Sequence, residues 1–229
     1  MNKRYRFEPA TLDTGHVGKS LDYPARRVLR NTYFLLSLCL GFSALTAAAA
    51  IALQLPHPGF LITLIGYFGL LFLVTRNRNN GLGILFVLAL TGFMGYTLGP
   101  IVGHYLRLPH GSETVLMALG GTSLIFVAMS GIALFSHRDF SFLSGFLTTG
   151  ILVAFFASVV AFLFEIPALS LAVSAVFVLL MSGLILHETH KIVRSGETSY
   201  IMATVTLFVA FFNLFSSLLH LLGFAGNSD

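Results

Sequence analysis

Charged residues are scarce in this sequence of 229 residues: only 10% are Asp, Glu, Lys or Arg, whereas a soluble domain has about 25%. Tryptophan is absent, so an aromatic belt at a membrane surface would have to consist of Tyr and Phe. The one cysteine, Cys39, cannot form an internal disulfide or a cysteine-based metal cluster. Hydrophobic residues instead make up 56% of the chain. This composition excludes an ordinary soluble domain and indicates an integral membrane protein.

The apolar residues fall into seven stretches, and a helix of about 20 apolar residues can cross the hydrocarbon layer of a bilayer. We predict an all-α membrane protein with seven spans, at 32–53, 60–74, 82–105, 114–135, 140–164, 168–186 and 200–222. Short polar segments separate the spans, so consecutive helices should be antiparallel. Because no loop is long enough to fold alone, the expected domains are a tail at 1–30 and a membrane domain at 31–229.

Basic residues are distributed very unequally between the two sides of the predicted bundle. With the N-terminus in the cytoplasm, the inner segments hold twelve of the thirteen Lys and Arg residues, and the outer segments hold only Arg107. The positive-inside rule therefore predicts a cytoplasmic N-terminus and, after seven spans, a periplasmic C-terminus. We interpret the basic tail as disordered and as a signal for orientation in the bilayer. Nucleic-acid binding is not expected, because the tail lacks aromatic stacking platforms.

Three glycines recur at every fourth position of the third stretch: Gly95, Gly99 and Gly103. Residues at this spacing lie on one face of a helix, and small residues there let another helix approach closely. Pro100 lies in the same stretch and is expected to kink it. The favoured interpretation is a helix-packing face; a hinge beside a pore is the alternative.

Ionisable residues at membrane depth are rare and often functional. The clearest candidate is Glu188, either an interfacial carboxylate near Lys191 or a buried site for an ion or proton. The flanking His187 and His190 have no evident third partner, whereas a zinc site normally has at least three protein ligands. No serine has the sequence context of a nucleophile. We therefore expect no metal, no cofactor and no enzymatic activity.

Several motifs together resemble the transmembrane Bax-inhibitor-motif family. Its paired motifs correspond to GYTLGPI at 95–101 and ALGGTSLIF at 118–126. The resemblance narrows to the bacterial YccA-like branch through NTYFLLS at 31–37, FSFL at 140–143, GETSYI at 196–201 and FNLF at 212–215. The similarity extends from about Val28 to the end of the chain, so only the tail lies outside it.

The resemblance implies a fold in which six helices surround a central, C-terminal seventh. It also implies two classes of function. YccA-like proteins bind the membrane-bound ATP-dependent protease FtsH and restrain its degradation of membrane substrates. They are also substrates of FtsH, engaged through the N-terminal tail, which corresponds here to Met1 to Asp22. Other family members are pH-sensitive calcium leak channels gated by a pair of aspartates.

The two gate positions of the leak channels correspond to Glu188 and Ala210, and Ala210 lies three residues before Asn213. Two neighbouring carboxylates can share a proton, but one carboxylate facing an alanine cannot. The span at 60–74 also lacks the charged residues that accompany the gate. The resemblance therefore favours an inner-membrane modulator of FtsH, with FtsH, its associated membrane proteins and the bilayer as partners. A calcium or proton leak is the alternative.

Overall fold

The computed structural model of the protein describes residues 23–136, 138, 140–194 and 199–226. These residues form seven helices: α1 (Tyr23–Ala52), α2 (Phe60–Arg76), α3 (Leu82–Leu106), α4 (Gly111–Phe135), α5 (Leu143–Leu163), α6 (Pro167–Arg194) and α7 (Tyr200–Gly226). Six of them are long and apolar enough to cross a membrane, and α2 is a shorter apolar helix of 17 residues. At 1.5 Å per residue α2 is about 26 Å long, close to the hydrocarbon thickness of about 30 Å. The expected all-helical, multi-pass architecture is therefore confirmed.

Two helices extend well beyond the apolar stretches that predicted them. α1 begins at Tyr23, inside the segment assigned to the tail, and α6 continues to Arg194 through residues predicted to form a loop from His187 onwards. The loop prediction for 187–194 was wrong because hydropathy detects only the part of a helix that lies in hydrocarbon. The added turns are polar, and the basic residues Lys191 and Arg194 in the last turn of α6 interact favourably with the helix dipole.

The short connections make consecutive helices antiparallel, so the bundle has two distinct ends. We call one of them the basic end: it comprises the start of α1 and the α2–α3, α4–α5 and α6–α7 connections with the adjoining helix turns. Of the Lys and Arg residues that the structure describes, only Arg107 lies at the opposite, far end. The basic end holds Arg26, Arg27, Arg30, Arg76, Arg78, Arg138, Lys191 and Arg194.

The last helix contributes most to the interior. Twelve residues of α7 are buried, compared with nine of α3 and nine of α6. Phe208, Leu207 and Leu214 of α7 are among the largest fully buried side chains. The main interfaces of α7 are with α1, α3, α4 and α6. The main contacts of α7 thus involve four of the other six helices. That all six other helices surround α7 stays a prediction.

The outward faces of the helices are strongly apolar. Leu124 of α4 is 72% exposed and Phe135 is 81% exposed, and many other large apolar side chains are exposed in the same way. A soluble monomer rarely exposes so much contiguous apolar surface, whereas lipid chains solvate it well. The exposed faces are therefore those of a bundle surrounded by lipid.

Candidate functional site

The best sequence candidate for an ionisable site, Glu188, is buried near the basic end of α6. It lies six residues before the helix ends at Arg194, and its exposed fraction is 5%. A carboxylate at such a position loses most of its hydration, and this cost is usually accepted only where the group has a role in structure or function.

The residues on either side of Glu188 connect α6 to two other parts of the bundle, α1 and the α4–α5 connection. The Thr189 hydroxyl lies 3.2 Å from the Tyr33 hydroxyl of α1. His187 Nδ1 lies 3.2 Å from the carbonyl oxygen of Phe140, and the His190 ring meets the Phe140 ring edge to face at 5.3 Å. These contacts hold the α4–α5 connection and α1 against α6, so the backbone around Glu188 is fixed by packing.

The position that the family resemblance assigns to the second gate residue holds no acid. Ala210 is fully buried in the main hydrophobic core. Because alanine has no carboxyl group, Glu188 and residue 210 cannot form the carboxylate pair that the resemblance implies for the leak channels.

Asn213 lies in a different environment from Glu188. Its side-chain N–H donates to the carbonyl oxygen of Val209 at 2.8 Å, one turn earlier in α7. Asn213 also lines a cavity of about 480 Å³ between α2 and α5, and Glu188 is not among the described residues that line it. The structure therefore does not bring Glu188 and Asn213 together in one cavity.

No group of three or more His, Cys, Asp or Glu side chains that could hold a metal ion occurs within the described part of the chain. His187 and His190 both turn toward Phe140, one to its carbonyl oxygen and the other to its ring. Both side chains thus contact the α4–α5 connection.

The glycine face of α3 packs against α1. A Cβ atom added at Gly99 would lie 2.6 Å from the Ala50 Cβ and 2.7 Å from the Ala47 carbonyl oxygen. At Gly103 the nearest atom would be 3.5 Å away, which is an ordinary contact. Gly99 therefore requires the absence of a side chain, whereas Gly103 does not. α3 is a continuous helix through Pro100.

Sequence reasoning missed the polar residue that faces the same cavity as Asn213. This residue is Tyr67 of α2. The available signal was weak: Tyr67 and Thr63 are the polar residues in the middle of an otherwise apolar helix. The tail at Met1 to Asp22, predicted to engage a protease, lies outside the described residues.

Comparison with known proteins identifies the family. The family described as "Inhibitor of apoptosis-promoting Bax1" matches residues 25–227. The chain belongs to the Bax inhibitor family. It is 51% identical over 199 residues to "Modulator of FtsH protease YccA" of Escherichia coli strain K12, a match that covers 87% of this chain and 90% of the relative. The family resemblance inferred from the motifs is thus confirmed.

Two further relatives support a membrane location. The protein named "Inner membrane protein YccA" in Escherichia coli O6:H1 is also 51% identical, with the same coverage of 87% and 90%. A membrane protein of Vibrio cholerae is 37% identical over 204 residues, which are 89% of this chain and 92% of the relative. Together with the apolar helices, these matches show that the chain is a multi-pass membrane protein of the Bax inhibitor family.

Proposed function

We propose that this chain is a bacterial inner-membrane protein that binds the protease FtsH and restrains its degradation of membrane substrates. The observation that carries the proposal is the 51% identity, over 87% of the chain, to a relative whose name states that it modulates this protease. The similarity covers the whole helical bundle, because the family match extends from residue 25 to residue 227.

The short connections between the helices are compatible with a protein that binds a protease and resists extraction from the membrane by it. The connections between the described helices have at most seven residues, at 53–59 and 136–142. Such short connections offer an ATP-driven protease little unfolded chain to grip. The segment at 1–22 is longer, and its composition is that of an accessible polar tail. We therefore also propose that FtsH engages the chain through this tail.

This proposal requires the basic end of the bundle to face the cytoplasm. Eight of the nine Lys and Arg residues in the described part of the chain lie at that end, and only Arg107 lies at the other. The positive-inside rule supports this orientation. The tail would then emerge on the same side as the basic end, directly before α1.

The ion-leak alternative has less support from the geometry. Ala210 supplies no acid that could pair with Glu188, and the described residues that line the cavity at Asn213 include none with a formal charge. A calcium path through hydrocarbon usually needs carboxylates or rings of backbone carbonyls.

Affinity purification tests the proposal and separates it from the leak. A tagged chain would be purified from gently solubilised native membranes that contain a proteolytically inactive FtsH. We expect FtsH to copurify in a larger amount than with an unrelated multi-pass protein of equal abundance. A leak channel needs no protease, so recovery of FtsH at the level of that control would contradict the proposal.

A further inference from the structure

A cavity at membrane depth has the size of a site for a small molecule. Its volume is about 480 Å³, and ligand sites typically have about 300–1,000 Å³. α2 and α5 lie on two sides of it, and residues of α3, α6 and α7, including Met94, Met181 and Asn213, close the remaining side. The proposed modulation of FtsH makes no use of this cavity.

The residues that line the cavity disfavour charged ligands and favour ligands with a planar ring. None of its described lining residues carries a formal charge, so an ion or a charged ligand would find no counter-charge there. Six of the fifteen lining residues are aromatic: Phe60, Tyr67, Phe68, Phe155, Phe156 and Phe177. Aromatic side chains stack on planar rings in offset and edge-to-face arrangements.

Three polar residues line this apolar cavity, Thr63 and Tyr67 on α2 and Asn213 on α7, and the Thr63 hydroxyl is already paired because it donates to the Gly59 carbonyl oxygen at 2.8 Å. Among the described residues the Tyr67 hydroxyl has no hydrogen-bond partner, and Asn213 makes one hydrogen bond, from its N–H to Val209. One N–H and the carbonyl oxygen of the Asn213 amide are thus left available. Unpaired polar groups in hydrocarbon are costly, so a ligand that pairs them would be bound favourably.

Both polar groups lie near the middle of their helices. Tyr67 is the eighth of the 17 residues of α2, and Asn213 is the fourteenth of the 27 residues of α7. On the prediction that both α2 and α7 cross the bilayer, the two groups lie at similar depths, close to its centre. Only a molecule that dissolves in hydrocarbon can reach that depth from outside the bundle.

The gap between α2 and α5 provides an entrance from the bilayer. Two ring pairs bridge it: Phe60 stacks on Phe162 at 4.8 Å, and Phe68 meets Phe155 edge to face at 6.4 Å. Phe60 and Phe68 are eight residues apart, which is about 12 Å along α2. Phe68 and Phe162 are the exposed members of these two pairs, and exposed side chains change rotamer within nanoseconds, so one ring of each pair can move aside without displacement of the helices.

We propose that this cavity binds an uncharged, lipid-soluble molecule whose planar ring carries carbonyl or hydroxyl oxygens, the chemistry of a membrane quinone or quinol. The ring lies among the phenylalanines. Tyr67 donates a hydrogen bond from the α2 wall, and the Asn213 amide pairs with an oxygen from the α7 wall. The apolar tail of the ligand leaves between α2 and α5. A simple acyl chain fits this site less well, because it leaves both polar groups unpaired.

Photolabelling of the full chain in lipid nanodiscs tests the proposal. The probe is an azidoquinone with a short isoprenoid tail, and the competitors are a benzoquinone, a naphthoquinone and oleic acid. We expect the label on peptides of α2 and α5, displaced by at least one of the two quinones and not by oleic acid. Comparison of the two competitors shows whether the cavity prefers a benzoquinone ring or a naphthoquinone ring.

The variants Tyr67→Phe and Asn213→Leu test the two polar contacts. Each should raise the quinone concentration that displaces half of the label about five-fold, the effect of losing one hydrogen bond. Tyr96→Phe is the matched control: it makes the same chemical change at a hydroxyl that donates to the Pro56 carbonyl oxygen, outside the cavity. We expect no change for Tyr96→Phe.

Three results would overturn the proposal: label confined to α1 or α4, which contribute no described residue to the cavity lining, equal displacement by oleic acid, or identical displacement curves for wild type and Tyr67→Phe. Loss of the fold does not confuse the last comparison, because Tyr67→Phe retains the ring and removes one oxygen. The melting temperature of each variant is measured to verify this point.

Discussion

At Gly95 the space that a side chain would need is already occupied by α1. An added Cβ would lie 2.8 Å from the Ser43 Cα and still closer to the Ser43 carbonyl oxygen and the Thr46 hydroxyl. Two of these three atoms belong to the backbone, so they cannot move aside as the end of a flexible side chain can. At Gly103, two helical turns further along α3, the nearest atom is a side-chain carbon of Ile51 at 3.5 Å.

This difference predicts opposite results for two identical substitutions. Gly95→Ala should destabilise the bundle by about 1–3 kcal/mol, because overpacking forces α1 and α3 apart. Gly103→Ala should leave stability unchanged or raise it, because alanine favours the helix by up to about 1 kcal/mol over glycine. Thermal unfolding of both purified variants in the same detergent measures the effect. Equal melting temperatures for Gly95→Ala and wild type would show that α1 and α3 separate there at little cost.

Single residues also show what the sequence can and cannot predict. The spacing of Gly95 and Gly99 predicts a shared helix face, but the partner helix depends on tertiary packing that no local pattern encodes. Glu188 was predicted to lie just past the apolar stretch of the sixth span, whereas the helix continues to Arg194, and its burial depends on tertiary packing around this part of α6. Asn213 faces a cavity that five helices form together, so its neighbour Tyr67 could not be found from spacing.

The helices themselves were largely predictable, because each contains a long apolar run between short polar breaks. The errors fall where a helix leaves the hydrocarbon. At 187–194 the residues are polar, yet their hydrogen bonds continue the helix, and contacts of Thr189 and His190 with other elements stabilise it there. A hydropathy profile indicates which residues can lie in hydrocarbon and not which backbone groups form helical hydrogen bonds. It therefore does not detect polar extensions of a helix.

The tail is the segment whose removal tests engagement by the protease. Because α1 begins at Tyr23, deletion of residues 2–22 should leave the helix intact, and Arg26, Arg27 and Arg30 remain to orient it. We expect the truncated chain to insert normally and to persist longer than the full chain in cells with FtsH. Pulse-chase labelling with and without FtsH measures both lifetimes.

A tail of the same composition in scrambled order is the matched control for this deletion. The protease should grip it as it grips the native tail, because accessibility and not sequence is proposed to matter. If the truncated and full-length chains decay at the same rate in the presence of FtsH, the tail is not the segment that the protease engages.

For the whole molecule, the orientation depends on whether all seven helices cross the bilayer. α2 is the one in question, because it has 17 residues and the other six have 21 or more. We expect the C-terminus in the periplasm. A phosphatase reporter fused after Asp229 should be active, since it folds only after export, and a fluorescent reporter that folds only in the cytoplasm should be dark. The reverse result would indicate that only six segments cross, with α2 or α7 outside the membrane.

Restraint of FtsH by the chain can be measured by reconstitution in liposomes. Purified FtsH and one of its membrane substrates are placed in liposomes with increasing amounts of the chain, and substrate loss is followed after addition of ATP. An unrelated multi-pass protein at equal amounts controls for crowding in the bilayer. We expect the substrate half-life to lengthen as the ratio of chain to FtsH rises, while the control protein has no effect. An unchanged half-life at every ratio, with FtsH fully active, would contradict the proposed restraint.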